Sequence, residues 1–262
     1  MLGRKVIKAL ILIAFITLLC TNLTEQKKFK GEKFMNNKIS YWDLSQQKDF
    51  YGIYKKADEE YAETKSESSL RYKAGALLHL KKYQDVLDNA TELIKISNGR
   101  TDTEYIWAGI ANWFLGNYAD AVEILKKGLK TKYTDAAGGV EIPALLYYIA
   151  VRSNDKKLEK EAIALLKKRC KSKVSLNYPG FIAGYILDRI DDNELLNSYA
   201  SFKELKRRIL CKAYFYIAVR NLKNGDEEMF YENLKKCIEN ESYLEYEYFI
   251  AIGELDKQTC NE

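Results

Sequence analysis

The tripeptide Tyr148-Ile149-Ala150 returns three more times along the chain, as Phe181-Ile182-Ala183, Tyr216-Ile217-Ala218 and Phe249-Ile250-Ala251. Small residues recur with the same period, and two of them lie upstream of the first tripeptide. Gly75, Gly109, Ala150, Gly184 and Ala218 follow one another at intervals of 34, 41, 34 and 34 residues. A period of 34 residues is typical of solenoids built from pairs of helices. One small residue per repeat lets a neighbouring helix approach closely, and the aromatic residue on the same helical face fills the space beside it.

The segment from Thr103 to Tyr133 carries the most complete repeat. Its inter-helix turn contains Gly116, with Tyr118 two residues on and Ala121 three residues after that. This spacing resembles the tetratricopeptide (TPR) repeat family, which has a Gly, a Tyr and an Ala at these positions. The resemblance covers residues 66 to 256, and other two-helix repeat families, Sel1-like or HEAT-like, stay open. Similar turns stand at Leu80-Lys81-Lys82-Tyr83 and Asn224-Gly225-Asp226.

We predict an all-α, TPR-like right-handed solenoid of about five helical hairpins with capping helices, over residues 46 to 262. A front helix from Gln46 to Thr64 and a last helix from Ser242 to Leu255 cap it. The seven extra residues of the 41-residue interval fall between Thr131 and Glu141, where a glycine-rich sequence predicts a loop that projects from the edge. The hairpins are predicted to start near Ser68, Asp102, Pro143, Pro179 and Phe202.

The first 23 residues have the pattern of an export signal. Three basic residues precede an uncharged run from Ala9 to Leu23, which suits a signal peptide and is short for a membrane span of about 20 residues. Cys20 stands where bacterial lipoproteins carry their lipidated cysteine, although Leu19 replaces the small residue that usually precedes it. We therefore predict either a cleaved, lipidated signal peptide or an uncleaved membrane anchor, followed by a polar linker over residues 24 to 45.

Charge argues against nucleic acid as a partner. The formal net charge of +5 falls to +2 without the three basic residues of the leader, whereas a nucleic-acid-binding domain usually has a much larger basic excess. The basic cluster from Lys167 to Lys173 closes a helix predicted to begin near Asp155, and cations stabilise that end of a helix.

The chain lacks the residue combinations that catalysis usually requires. His79 is the only histidine, which excludes a histidine-based triad and a pair of histidine metal ligands. The sequence has no glycine-rich phosphate loop, Cys-x-x-Cys motif or nucleophile elbow. Asp191 and Asp192 stand where they cap a predicted helix. We expect no enzyme activity, no metal, no cofactor and no small-molecule substrate.

The TPR resemblance implies a binding groove, because in that family the first helices of successive hairpins line a concave surface that binds peptides or partner helices. Positions three before each small residue are apolar in every repeat, as a core also requires, and positions four after it are mixed polar and aromatic. Trp113 is the predicted anchor, since Trp and Tyr contribute much of the binding free energy at interfaces. The candidates are Tyr72, His79, Trp113, Tyr147, Asn154, Phe181, Tyr185 and Asp188.

Four cysteines remain besides Cys20, an even number that is compatible with disulfides outside the cytoplasm. Cys211 and Cys237 each lie 13 residues from Asn224, at the turn between two predicted antiparallel helices. They therefore lie at the same height on adjacent helices. A disulfide between them is one prediction, and four separate buried or surface thiols are the alternative.

Two functions stay open. The segment from Tyr214 to Leu255, with Glu245-Tyr246-Glu247-Tyr248, is similar to the last repeats of NlpI-type bacterial lipoproteins. That resemblance implies an exported adaptor, tethered to a membrane in the periplasm or at the cell surface, that holds partner proteins. The alternative is a structural strut of an envelope secretion or pilus machine. In both cases the partners are proteins or peptides, and the chain reaches the membrane through its N-terminus.

Overall fold

The computed structural model describes residues 39–170, 178–197 and 203–261. Within these ranges it contains thirteen helices and no strand, so the predicted all-α class is confirmed. The leader, Cys20 and most of the predicted linker lie outside the described residues. In the described ranges, no helix is both long and apolar enough to cross a membrane.

The chain divides into two units between Leu44 and Ser45. In the first unit the structure describes only residues 39–44, where helix α1 (Tyr41–Gln46) begins. The second unit holds the other twelve helices of the described ranges. They are α2 (Phe50–Thr64), α3 (Glu67–His79), α4 (Tyr83–Ser97), α5 (Thr103–Phe114), α6 (Tyr118–Gly128), α7 (Glu141–Arg152), α8 (Lys156–Arg169), α9 (Phe181–Ile186), α10 (Asp192–Leu196), α11 (Lys203–Lys223), α12 (Glu227–Glu239) and α13 (Tyr246–Asn261).

Helices that follow one another in sequence pack together, which builds the hairpins α3–α4, α5–α6, α7–α8 and α11–α12. The helical-hairpin solenoid is therefore confirmed, with the predicted hairpin starts within two residues of the observed ones. The predicted hairpin after Pro179 is much shorter than the others, because α9 and α10 have only six and five residues. The predicted cap at Asp191 is present as a capping box with Glu194 at α10, and Asp155, where a helix was predicted to begin, caps α8.

Neighbouring hairpins meet through side chains that lie about one repeat apart in sequence. Trp113 donates a 2.8 Å hydrogen bond to Tyr148, 35 residues on, and Tyr118 donates one of 2.6 Å to Asp155, 37 residues on. Within a hairpin, Gly109 shows why this position of the repeat requires a small residue, since a Cβ there would lie 2.6 Å from Leu125 Cγ. The sequence period is therefore the period of helix packing.

The segment between α6 and α7 is a loop, as predicted, and part of it packs on the core instead of projecting from the edge. The Asp135 carboxylate accepts hydrogen bonds from the backbone N–H groups of Ala137 and Gly139, both at 2.9 Å. Ala137 and Val140 are buried in the main hydrophobic core. The glycine-rich sequence indicated a loop, but not that its own aspartate closes the turn and that its apolar residues reach the core.

Candidate functional site

Helix α13 lies against the first helix of every complete hairpin. It packs on α11 and α12 of the last hairpin and on α3, its aromatic side chains contact α5, and Glu254 is hydrogen-bonded to α7. We call the surface that α3, α5, α7 and α11 present to it the groove. The sequence predicted this surface for a partner, and the structure places a helix of the chain itself on it.

The apolar contacts of α13 depend on close approach. The ring of Trp107 in α5 lies 4.8 Å from that of Tyr246 and 6.2 Å from that of Phe249, measured between centroids. A Cβ on Gly253 would meet the ring of Phe114 at 2.4 Å. Only glycine therefore lets α13 come this close to α5 without a shift of the aromatic ring.

One end of the α13 interface is centred on Glu254, which is fully buried. Its Oε1 accepts hydrogen bonds from the Tyr148 hydroxyl at 2.6 Å and from Trp113 Nε1 at 3.3 Å. Its Oε2 accepts a 2.9 Å bond from Arg152 Nε. Burial and the charge of Glu254 raise the pKa of Tyr148 well above its usual value, so this phenol stays protonated and donates. We call these four residues the Glu254 centre.

The other end is centred on Lys212 of α11, whose side chain is only 1% exposed. Its Nζ lies 2.8 Å from a Glu247 oxygen, 2.9 Å from one of Glu245 and 3.1 Å from one of Glu141. Burial alone lowers the pKa of Lys212, but the three carboxylates raise it well above its usual value. Arg208 forms a second ion pair with Glu245. We call these five residues the Lys212 centre.

A cavity of about 390 Å³ opens beside the Lys212 centre. Glu141, Arg208 and Glu245 line it, and the largely exposed Leu244 stands among its lining residues. Burial raises the pKa of Glu141 to about 7, and the charges of Glu247 and Glu245 add to the effect of burial, while Lys212 opposes it. Glu141 therefore has a strongly raised pKa and also borders the cavity.

Trp113 and His79, which are among the eight predicted groove residues, contact α13. Trp113 belongs to the Glu254 centre, and Lys257 of α13 lies over its ring at 5.4 Å. The ring of His79 is parallel to that of Tyr248 at 6.2 Å and stacks on Phe50 at 3.4 Å. Burial lowers the pKa of His79 to about 4, so this histidine is a neutral packing residue at pH 7.

The other six predicted residues have different surroundings. Tyr72 is exposed on α3, whereas Phe181 is buried in the core. The remaining four make contacts with neighbouring helices or stand in turns. Tyr147 lies under Lys223 at 5.5 Å, Tyr185 donates a 2.6 Å hydrogen bond to Asp192, and Asn154 and Asp188 occupy turns with φ of 53° and 56°.

Sequence reasoning missed the residues that hold α13, namely Glu247, Glu254, Tyr148, Arg152 and Lys212. The charge pattern of the sequence indicated three of these residues. Lys212 interrupts an otherwise apolar run from Ile209 to Val219, and the two glutamates stand seven residues apart in the apolar helix α13. Isolated charges in apolar helices are seldom buried unless they are paired, so these three positions pointed to partners on facing helices.

The two cysteines singled out from the sequence lie at the same height on α11 and α12, as expected. The sulfur atoms of Cys211 and Cys237 are 3.4 Å apart, both residues are fully buried, and they are thiols in this structure. The disulfide stays a prediction. Within the described ranges, no group of three or more His, Cys, Asp or Glu residues is arranged to hold a metal ion.

No protein-family model matches the chain, and a comparison with curated proteins finds no similar one.

Proposed function

We propose that this chain is a membrane-tethered scaffold of the bacterial cell envelope that binds partner proteins through the groove of a TPR-like repeat domain. The observation that carries the proposal is the helix in the groove. Four first helices contact α13 through rings, hydrogen bonds and ion pairs. A helix of a partner protein can make contacts of the same kind.

The chemistry of the described residues supports binding rather than catalysis. The charged groups at both ends of α13 are engaged in ion pairs across the interface, Glu254 with Arg152 and Lys212 with Glu247 and two further carboxylates. Paired buried charges of this kind fix the register between packed elements. The membrane tether is supported separately, by the export pattern of residues 1–23 and by Cys20.

A structural strut is the second candidate function, and one observation favours it. Phe249, Ile250 and Ala251 of α13 belong to the main hydrophobic core, and Glu254 is fully buried. A groove that its own helix fills permanently gives a rigid body rather than an exchangeable binding surface. A strut would be recovered with one firmly bound partner, whereas a scaffold would be recovered with several exchangeable ones.

Affinity capture of the full chain from detergent-solubilised membranes, with mass spectrometry of the bound proteins, tests the proposal. We expect several soluble envelope proteins that wash off and rebind. Recovery of the chain without partners contradicts both candidate functions.

The tether is tested separately. We expect Cys20→Ser to release the chain from membranes or to leave an unprocessed precursor, because acyl chains supply the membrane affinity of a lipoprotein. If Cys20→Ser stays in membranes at full precursor length, and the unaltered chain incorporates no labelled palmitate, the leader is an uncleaved anchor.

A further inference from the structure

We propose that the groove selects helices by two carboxylates seven residues apart, and that a partner's helix of this kind binds in the place of α13. The inference rests on the proposed function and names the chemistry of the partner. Its basis is the position of Glu247 and Glu254 on α13, each facing a different set of cations and donors on the groove.

The spacing of the two carboxylates follows from the groove. Seven residues make two turns of an α-helix, a rise of about 10.5 Å, so both glutamates project from one face. Lys212 of α11 meets the first, and Arg152 of α7 meets the second. The distance between the two cationic sites therefore selects for acids two turns apart on the same helix.

Charge is the selective feature, because the groove's polar groups are largely removed from water. Lys212 is 1% exposed and the side chain of Arg152 is 28% exposed. A helix with neutral residues at both positions would leave Arg152 without its carboxylate and Lys212 with one counter-charge fewer, at a large cost in free energy. A helix with basic residues there would be repelled.

The apolar face of α13 adds a second requirement. Phe249 lies near Trp107, and Gly253 faces the ring of Phe114 too closely for any side chain. A fitting helix therefore has an aromatic residue two positions after its first acid and a glycine just before its second. This pattern distinguishes the proposed partner from acidic helices in general.

Replacement of α13 depends on competition within one molecule. A tethered segment has an effective concentration on the order of millimolar, so a free helix with equal contacts binds the unaltered chain only weakly. A weakened α13 opens the groove, and the free helix then supplies the missing carboxylate.

The experiment measures the fluorescence anisotropy of a labelled peptide with the sequence of residues 246–261, in which Ser replaces Cys260, added to the full chain in detergent. Three proteins are compared: the unaltered chain, Glu254→Gln, and Glu228→Gln as a control on the exposed face of α12. Two peptides are compared, one unaltered and one with Gln at Glu247 and Glu254.

We expect the Glu254→Gln chain to bind the acidic peptide at least tenfold more tightly than the unaltered chain does. It should also bind the acidic peptide at least tenfold more tightly than the Gln peptide. The Glu228→Gln chain should behave as the unaltered chain. If Glu254→Gln does not fold, Gly253→Ala replaces it, because the added Cβ meets Phe114 and loosens the same helix.

Equal binding of the two peptides overturns the proposal, and so does the absence of binding to the loosened chain. Dimers of the loosened chain that the peptide cannot compete with also overturn it, since they show a groove that accepts only α13 of a second copy. Loss of circular dichroism in both variants shows that α13 is inseparable from the core, with the same consequence. If membrane capture still yields partners in any of these cases, the scaffold function stands and the partner uses another surface.

Discussion

The two ends of α13 are held by opposite arrangements of charge. At the Glu254 centre one buried carboxylate meets one guanidinium, that of Arg152, and two neutral donors. At the Lys212 centre three carboxyl groups surround one fully buried cation, and Arg208 adds a second positive charge. The first is balanced and depends on hydrogen-bond geometry. The second has three carboxyl groups for two cations, so its stability depends on its lysine and on pH.

The largest effect should come from removing the cation of the crowded centre. Lys212→Met leaves Glu141, Glu245 and Glu247 close together in a buried site, and loss of one partner from a buried ion pair costs about 3 to 5 kcal/mol. Urea unfolding followed by circular dichroism measures the change. The control is Lys160→Met, at an exposed position of α8. Equal stability of the two variants would show that the three carboxylates do not need Lys212.

The balanced centre should lose less when its acid is neutralised. Glu254→Gln weakens the bonds from Tyr148 and Arg152, and a hydrogen bond to a charged group contributes roughly 1.5 to 3 kcal/mol. Arg152 keeps partial access to water, which limits the loss. We expect a decrease of about 2 kcal/mol in the free energy of unfolding, with Glu228→Gln as the control. A loss larger than that of Lys212→Met would reverse the order of the two centres.

The Lys212 centre should make stability depend on pH, because it contains Glu141. Its pKa is raised from 4.5 to about 7 by burial and by the neighbouring Glu247, Glu245 and Asp135, against the opposing effect of Lys212. The folded chain therefore holds a proton that the unfolded chain has released, and this stabilisation is full below pH 4.5 and is lost as the pH rises towards 7.

The measurement compares unfolding free energies of the unaltered chain and Glu141→Gln between pH 4.5 and 7.5. The advantage of the unaltered chain should fall with rising pH by at most about 1.4 kcal/mol per unit. The comparison is needed because His79, with a pKa lowered to about 4, gives the opposite slope below pH 6.5 in both proteins. Parallel profiles would show that Glu141 titrates normally in the folded chain.

The sequence predicted the stacked hairpins because their packing repeats along the chain. Gly109 and Tyr148 each stand at a fixed place in the repeat, so a period in the sequence becomes a period in space. The groove register was less predictable. Asn154 and Asp188 have the same sequence phase as Trp113, yet they stand in turns at positive φ, because the helices before them end earlier.

The return of α13 into the groove could not be predicted from the period. Phe249-Ile250-Ala251 recurs with the period of the repeats, which predicts one more helix at the end of the stack. Which earlier helices it contacts depends on the curvature of the solenoid, a sum of small rotations between repeats that a single-sequence pattern does not contain. Glu247 and Glu254 indicated buried partners, but not that those partners lie 35 and 102 residues away.

The smallest effect should come from a single neutral donor of the balanced centre. Trp113→Phe keeps an aromatic ring but removes the Nε1–H that bonds to Tyr148 at 2.8 Å and approaches Glu254 at 3.3 Å. A hydrogen bond of this kind contributes about 1 kcal/mol. The matched control is Trp107→Phe in the same helix, because Nε1 of Trp107 is buried and has no hydrogen-bond partner among the described residues.

Both substitutions remove the same atoms from an aromatic side chain that packs against α13 or its neighbours, so their difference reports the hydrogen bond of Trp113 together with the unsatisfied donor of Trp107. We expect Trp113→Phe to lower the free energy of unfolding by about 1 kcal/mol more than Trp107→Phe does. Trp107→Phe also removes a buried N–H donor that has no partner among the described residues, and this removal stabilises the variant. If Trp107→Phe lowers the free energy of unfolding more than Trp113→Phe does, the packing of the larger ring against Tyr246 and Phe249 contributes more than the hydrogen bonds of Trp113.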